Sequence, residues 1–332
     1  MTAWNNGLSI CGFGLCAVVA VVYHLMPRLT RPEIYFAVTV PAAFRAEPEA
    51  KRALRRYRTW VFIHTAAALA LLAVGIVTHR PALLSAAVLW QTLGSVQAFL
   101  AARKVVLPHA AAPTSIREAS LVLERRALPG GVVAQLAPFA ILAAAAGFLA
   151  QRWQEILTGV VLCAMMVLFA YGILHGSRRV STVGESGRRE WGFRRATLVI
   201  LLGAEYLIAL TFAGISLMSL LATGSATFAT SMMLIELVAV VVVLVVLTRW
   251  GQGGTRAASD PEGAVPVGDR TADARWRWGI FYVDPDDPAV FVEKRFGIGY
   301  TLNLGNRRAW MILALLVIVP VMTSLFALHR TG

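Results

Sequence analysis

A chain of 332 residues that is 58% hydrophobic and only 15% charged, with a mean hydropathy of +0.66, has the composition of a membrane protein and not that of an ordinary soluble domain. Its formal net charge of +13 comes from 31 basic against 18 acidic residues. The basic residues cluster in short connections. That placement points to topology and to attraction by anionic lipid headgroups, and away from nucleic acid, whose binding needs a folded basic domain with interleaved aromatics.

Between the clusters run charge-poor stretches of about 20 residues, each long enough to cross roughly 30 Å of hydrocarbon at about 1.5 Å per helical residue. The bilayer core offers the backbone no water, so each stretch must close its own hydrogen bonds as a helix. In chain order the predicted spans are 8–26, 59–78, 82–101, 131–150, 156–175, 197–221, 228–248 and 309–328. The expected fold is therefore an all-α integral membrane protein with eight transmembrane helices. No Lys or Arg precedes the first stretch while Arg28 and Arg31 follow it, so it reads as a retained helix and not as a cleaved leader.

The connections 27–58, 102–130, 176–196 and 249–308 hold 8, 5, 6 and 9 Lys or Arg, 28 of the 31. Basic connections stay on the cytoplasmic side, so the sequence predicts both termini outside the cytoplasm. Trp60, Trp250 and Trp310 fall at the expected inner ends and Trp4 and Trp153 at the outer ends, where amphipathic rings favour the headgroup layer. Only Lys51, Lys104 and Lys294 are lysine, and with heavy use of Ala and Val this points to a GC-rich bacterial genome and so to the bacterial inner membrane. The outer connections 79–81, 151–155 and 222–227 are short, which predicts antiparallel helical hairpins and excludes a large external domain. Cys11, Cys16 and Cys163 lie in apolar stretches and read as small buried hydrophobes.

The last inner connection divides in two. Residues 249–275 are rich in Gly, Ala, Asp, Pro and Arg without periodicity, as a flexible cytoplasmic linker is. Residues 276–308 alternate apolar runs with the Asp284-Pro285-Asp286-Asp287-Pro288 turn signal and read as a small cytoplasmic β element resting against the inner membrane surface or the helix ends. The organisation expected is a seven-helix bundle over 1–248, the linker, this element, and the eighth helix in 309–332.

Two carboxylates fall inside predicted spans, Glu205 and Glu236. Placing one at membrane depth costs about 2.5 to 3.5 kcal/mol, so such a group faces the bundle interior and marks either an ion or proton path or a hydrogen bond between helices. His64 lies about one turn inside the second span, and Gln91 shares a face of the third with Ser85, Ser95 and Ala98. That small, polar stripe is expected to face other helices. Recognised catalytic arrangements are absent from the sequence. Asp284, Asp286 and Asp287 open a calcium-loop-like run, but Ala289 replaces its turn glycine and Arg295 its terminal glutamate. Gly297 and Gly299 open a dinucleotide-like pattern in which Leu302 replaces the third glycine. No cofactor and no metal is expected.

The run from Gly279 through Asp284-Pro285-Asp286-Asp287-Pro288 to Lys294-Arg295-Phe296-Gly297-Ile298-Gly299-Tyr300-Thr301-Leu302-Asn303 resembles a short domain of unknown function found near the C-terminus of bacterial multi-pass membrane proteins. Ala127-Leu128-Pro129-Gly130-Gly131, Arg178-Arg179 and Glu205-Tyr206 fit the same resemblance. The family is related to membrane proteins conferring immunity to a sporulation-delaying toxin, some of which relay a signal to a transcriptional repressor. The resemblance therefore implies immunity or signal relay through helix repacking, with a secreted toxin or a cytoplasmic protein as partner beside the lipid bilayer. Relatives carry an outer Pro-x-His-Trp-like element near the position of Trp153, which Gln154, Glu155 and Ile156 replace here, so the toxin contact is the part least expected to carry over. A proton-coupled transporter using Glu205, with Glu236, His64 and Gln91 along its path, is the second reading; an intramembrane enzyme ranks last. The segment Ile34–Pro41 echoes Phe296–Thr301.

Overall fold

The computed structural model describes residues 2–80, 82–112, 127–148, 153–177, 184–221, 225–252 and 271–331. Most of the predicted linker, and Arg178 and Arg179, lie outside the described residues. Helix dominates: α1 (Thr2–Leu29), α2 (Pro48–Val77), α3 (Ala82–Val106), α4 (Gly131–Phe148), α5 (Trp153–Gly176), α6 (Gly184–Leu221), α7 (Ser225–Trp250) and α8 (Arg307–Thr331) each coincide with one apolar stretch. Among the described residues five of them are long and apolar enough to cross a membrane: α1, α2, α3, α5 and α6. The apolar segments described within α4 and α7, Gly131–Ala146 and Thr230–Val246, are shorter.

Helices overrun their predicted spans at the basic end, α2 and α6 by more than ten residues. α2 begins at Pro48, whose fixed φ and missing N–H suit the first helical turn, with Glu49 beside it to favour the positive end of the helix dipole. α6 begins at Gly184 and runs 38 residues, about 57 Å at the helical rise and so well beyond a hydrocarbon core. Hydropathy locates where a helix can meet lipid; it does not locate where the hydrogen-bonded ladder stops.

The chain divides into two compact units, residues 1–118 with 233–282 and 293–299, and residues 119–232 with 283–292 and 300–332. In the first unit α1, α2 and α3 pack together. A methyl on Gly14 would come 2.5 Å from Leu237, so this glycine lets α7 lie close against α1. The connection between α1 and α2 folds into a hairpin of β1 (Ile34–Tyr35) and β2 (Val38–Thr39), paired Ile34 to Thr39 and Tyr35 to Val38. It is buried throughout and joins Phe44, Tyr57, Ala98 and Phe99 in one apolar cluster, with Phe296 packed against it. In the second unit α4, α5 and α6 pack around Leu142, Ile156, Cys163 and Ala209, and α8 packs on α5.

The small β element expected before the last helix is present as two strand pairs, β3 (Trp276–Arg277) with β4 (Phe281–Tyr282), and β5 (Phe291–Glu293) with β6 (Tyr300–Leu302). It has no core of its own. Its residues are shared between the two units: Ile280 and Phe296 pack against the hairpin cluster of the first, and Val290 and Phe291 join Ala170, Ile173, Leu174, Leu198 and Ala309 in a further apolar cluster of the second.

Candidate functional site

The motif residues build two structures. In the first unit, Arg295 is 1% exposed. Its Nη1 pairs with Asp273 and its Nη2 donates to the Thr271 carbonyl at 2.6 Å, while the guanidinium sits 5.4 Å from the Trp276 ring. Asp273 also accepts from Thr39, at 2.6 Å from its hydroxyl and 3.2 Å from its amide. Arg103 donates to the carbonyls of Ala37 at 2.6 Å and Phe36 at 3.3 Å, and the Arg295 Nη1 reaches the Ala37 carbonyl at 3.5 Å. Two arginines thus cap the turn of the β1–β2 hairpin, and Arg31 pairs with Glu293 at 2.6 Å beside them. Outside the helices, burial raises the Tyr35 phenol above its ordinary pKa and the nearby Arg45 partly offsets this.

Close packing explains Gly279, and left-handed backbone explains Gly297 and Gly299. A methyl on Gly279 would come 2.8 Å from the Ala37 methyl and 2.9 Å from the Arg103 Nη1, so any larger residue displaces the cap. Gly297 and Gly299 have φ of 91° and 103°, backbone that only glycine adopts without cost. Gly299 exchanges two hydrogen bonds with Gln252, its amide donating to Oε1 at 2.9 Å and its carbonyl accepting from Nε2 at 3.1 Å. The Lys294 amide donates to the Gly299 carbonyl at 3.0 Å, closing a backbone loop and not a dinucleotide cradle.

In the second unit, Asn303 is fully buried and ties the Asp/Pro turn to itself. Its Nδ2 donates to the carbonyls of Asp284 (2.8 Å), Asp287 (3.1 Å) and Ala289 (3.1 Å), and its Oδ1 accepts from the amides of Asp284 and Gly305, both at 3.0 Å. The Asp284 and Asp287 carboxylates accept from the amides two residues on, of Asp286 and Ala289. The Asp284 and Asp287 carboxylates and the Asp286 amide thus form a turn, the reading the sequence favoured for this run. Pro285 and Pro288 shape the same turn, and Asn306 binds the Pro288 carbonyl at 3.1 Å while accepting from the Arg308 amide as the cap of α8. Beside it Phe291 is buried where α5 carries Gly172; a methyl there would meet the Phe291 ring at 2.4 Å.

The helix-borne candidates fall in both units. In the first, Gln91 of α3 is fully buried and donates to the Cys16 carbonyl at 2.9 Å and the Thr65 hydroxyl at 3.1 Å, linking α1, α2 and α3. His64, on the adjacent turn of α2, seats its ring against Gly94 between Trp60 and Trp90. Both His64 ring nitrogens, the Gln91 Oε1 and the Ser95 hydroxyl are buried without a hydrogen-bond partner among the described residues. Glu236 lies half-buried on α7. In the second unit Glu205 is 1% exposed, with Oε1 unpartnered among the described residues and the Cys163 thiol 3.5 Å from its carbonyl. No group of three or more His, Cys, Asp or Glu that could hold a metal occurs among the described residues.

Sequence reasoning missed Arg103, Asp273, Thr39 and the hairpin they hold. The apolar run Ile34–Val40 was the available signal; Asp273, in a segment of linker composition, offered none.

These features define a helical protein with membrane-grade helices and a loop motif built into its helical units. Residues 285–310 match the model of a family of unknown function, DUF5808. No curated protein and no solved structure matches the chain.

Proposed function

We propose that the chain is a bacterial inner-membrane protein of eight spans, with both termini outside the cytoplasm, that acts in immunity or signal relay by coupling helix packing to the motif over 276–308. The observation that carries this reading is the burial of Arg295 and its bonds to Asp273, Thr271 and the hairpin turn. A motif anchored this way shifts when the helix ends shift, which is what a relay through two packing states requires. A free-floating domain on a linker would not.

The test is a host strain lacking the protein, complemented with the wild type or with Arg295→Met at equal membrane level. The wild type should raise tolerance to a secreted membrane-active toxin or retain a cytoplasmic protein in a pull-down, and Arg295→Met should lose that effect. Equal toxin sensitivity and identical captured proteins in all three strains would sink the reading.

A second reading, a proton-coupled carrier, is favoured by Glu205, whose buried Oε1 has no partner among the described residues. Such a group at membrane depth is costly unless it is used. In proteoliposomes Glu205→Gln should then abolish a proton-driven solute flux; flux equal to wild type removes Glu205 from any such path.

A further inference from the structure

We infer that a groove between α1 and α2 binds one acyl chain of an anionic phospholipid, with the lipid phosphate held by Arg58. The groove is walled by Ala20, Val21, Val61 and Phe62 and ends at His24 and Arg58. Its volume of about 280 Å³ is just below the roughly 300 Å³ where small-molecule pockets begin. Too small for a whole phospholipid, this apolar space takes a segment of one hydrocarbon chain and leaves the headgroup at the mouth.

The depth is right for that occupant. Arg58 stands one residue before the predicted second span and Thr65, another lining residue, lies seven residues further on, about 10 Å along the helix. The charged end thus meets the headgroup layer and the apolar end meets the acyl region.

Arg58 identifies the ligand class. Its Nε and Nη2 are buried and make no hydrogen bond among the described residues. These two N–H groups form the fork that binds a phosphate or carboxylate through two parallel bonds. Among the described residues the groups acting on it electrostatically are Arg28, Tyr35 and Tyr57, with no carboxylate among them, and the field of Arg28 and Arg58 also reaches His24. A guanidinium whose fork is shielded from water beside a second cation, Arg28, is unfavourable until an anion joins it. In a bilayer the anion that comes attached to a hydrocarbon chain is a phospholipid. This inference is independent of the relay reading.

The experiment uses the purified full-length protein in detergent, with binding of phosphatidylglycerol, phosphatidylcholine and glycerol phosphate followed by native mass spectrometry. The wild type should prefer phosphatidylglycerol. Arg58→Gln should weaken that lipid about five-fold and erase the preference, the size expected for one basic residue at a membrane surface. Ala20→Phe, which fills the groove and leaves the guanidinium in place, should weaken both lipids, and it decides the matter if Arg58→Gln does not fold. Glycerol phosphate should fail to compete. An intact preference in Arg58→Gln, undiminished lipid binding by Ala20→Phe, or competition by glycerol phosphate as strong as by the lipid each overturns the inference, the last by making this a free-anion site.

Discussion

Asn303 uses both ends of its amide, holding the backbone of the Asp/Pro turn at Asp284, Asp287 and Ala289 and that of Gly305. An aspartate there keeps the shape but replaces the Nδ2 donor with a second acceptor, leaving buried carbonyls unpaired. Each orphaned group costs about 1 to 3 kcal/mol. Asn303→Asp should therefore lower the thermal unfolding midpoint of the detergent-solubilised protein markedly, while Asp286→Asn, at an exposed position of the same turn, should leave it nearly unchanged. Equal midpoints for the two would remove Asn303 from its organising role. The Asp/Pro run advertised a turn because Asp and Pro favour turns locally. The asparagine that fastens it acts over 14 to 19 residues of sequence, beyond the reach of any local pattern.

The β1–β2 hairpin carries the opposite lesson at the level of an element. Its turn residues Phe36 and Ala37 have φ of 45° and 60°, where two-residue hairpins normally use Asn-Gly or other glycine pairs. Left-handed backbone costs about 1 to 2 kcal/mol for an ordinary residue. What offsets it is the Phe36 ring, fully buried and 5.2 Å from Tyr57 and 6.4 Å from Phe99 and Phe296, together with the arginine caps on the turn carbonyls. Ala37→Gly relieves the strain but removes a buried methyl worth about 0.8 kcal/mol, so its net effect should be within about 1 kcal/mol. Phe36→Ala should lose about 3 to 5 kcal/mol. Unfolding of both variants in detergent with added denaturant checks this, and a Phe36→Ala loss no larger than that of Ala37→Gly would mean that the ring does not hold the turn. The apolar run Ile34–Val40 signalled a buried segment, but with no turn-forming dipeptide it did not signal the hairpin. Ile34–Pro41 and Phe296–Thr301, two short apolar runs of similar pattern, each place a phenylalanine in the same cluster.

Over the whole molecule, the uneven division of arginine among connections predicts an orientation that reporter fusions can test. A periplasm-active reporter at residue 332 and a cytoplasm-active one within 253–270 should both be functional; the reverse pattern at either position would break the proposed topology. Fusions after 148 and after 221 would test whether α4 and α7 cross.

The sequence by itself determined the helical class and the approximate place of every helix, because the cost of exposing backbone polar groups to hydrocarbon is paid locally, residue by residue along each apolar run. It also determined the Asp/Pro turn. Only the tertiary structure decided what the motif is attached to. The pairing of Arg295 with Asp273, the capping of the Phe36–Ala37 turn by Arg103 and the seating of Phe291 against Gly172 join residues that no periodicity relates. Their energies arise from burial and close packing, which exist only once the helices have come together.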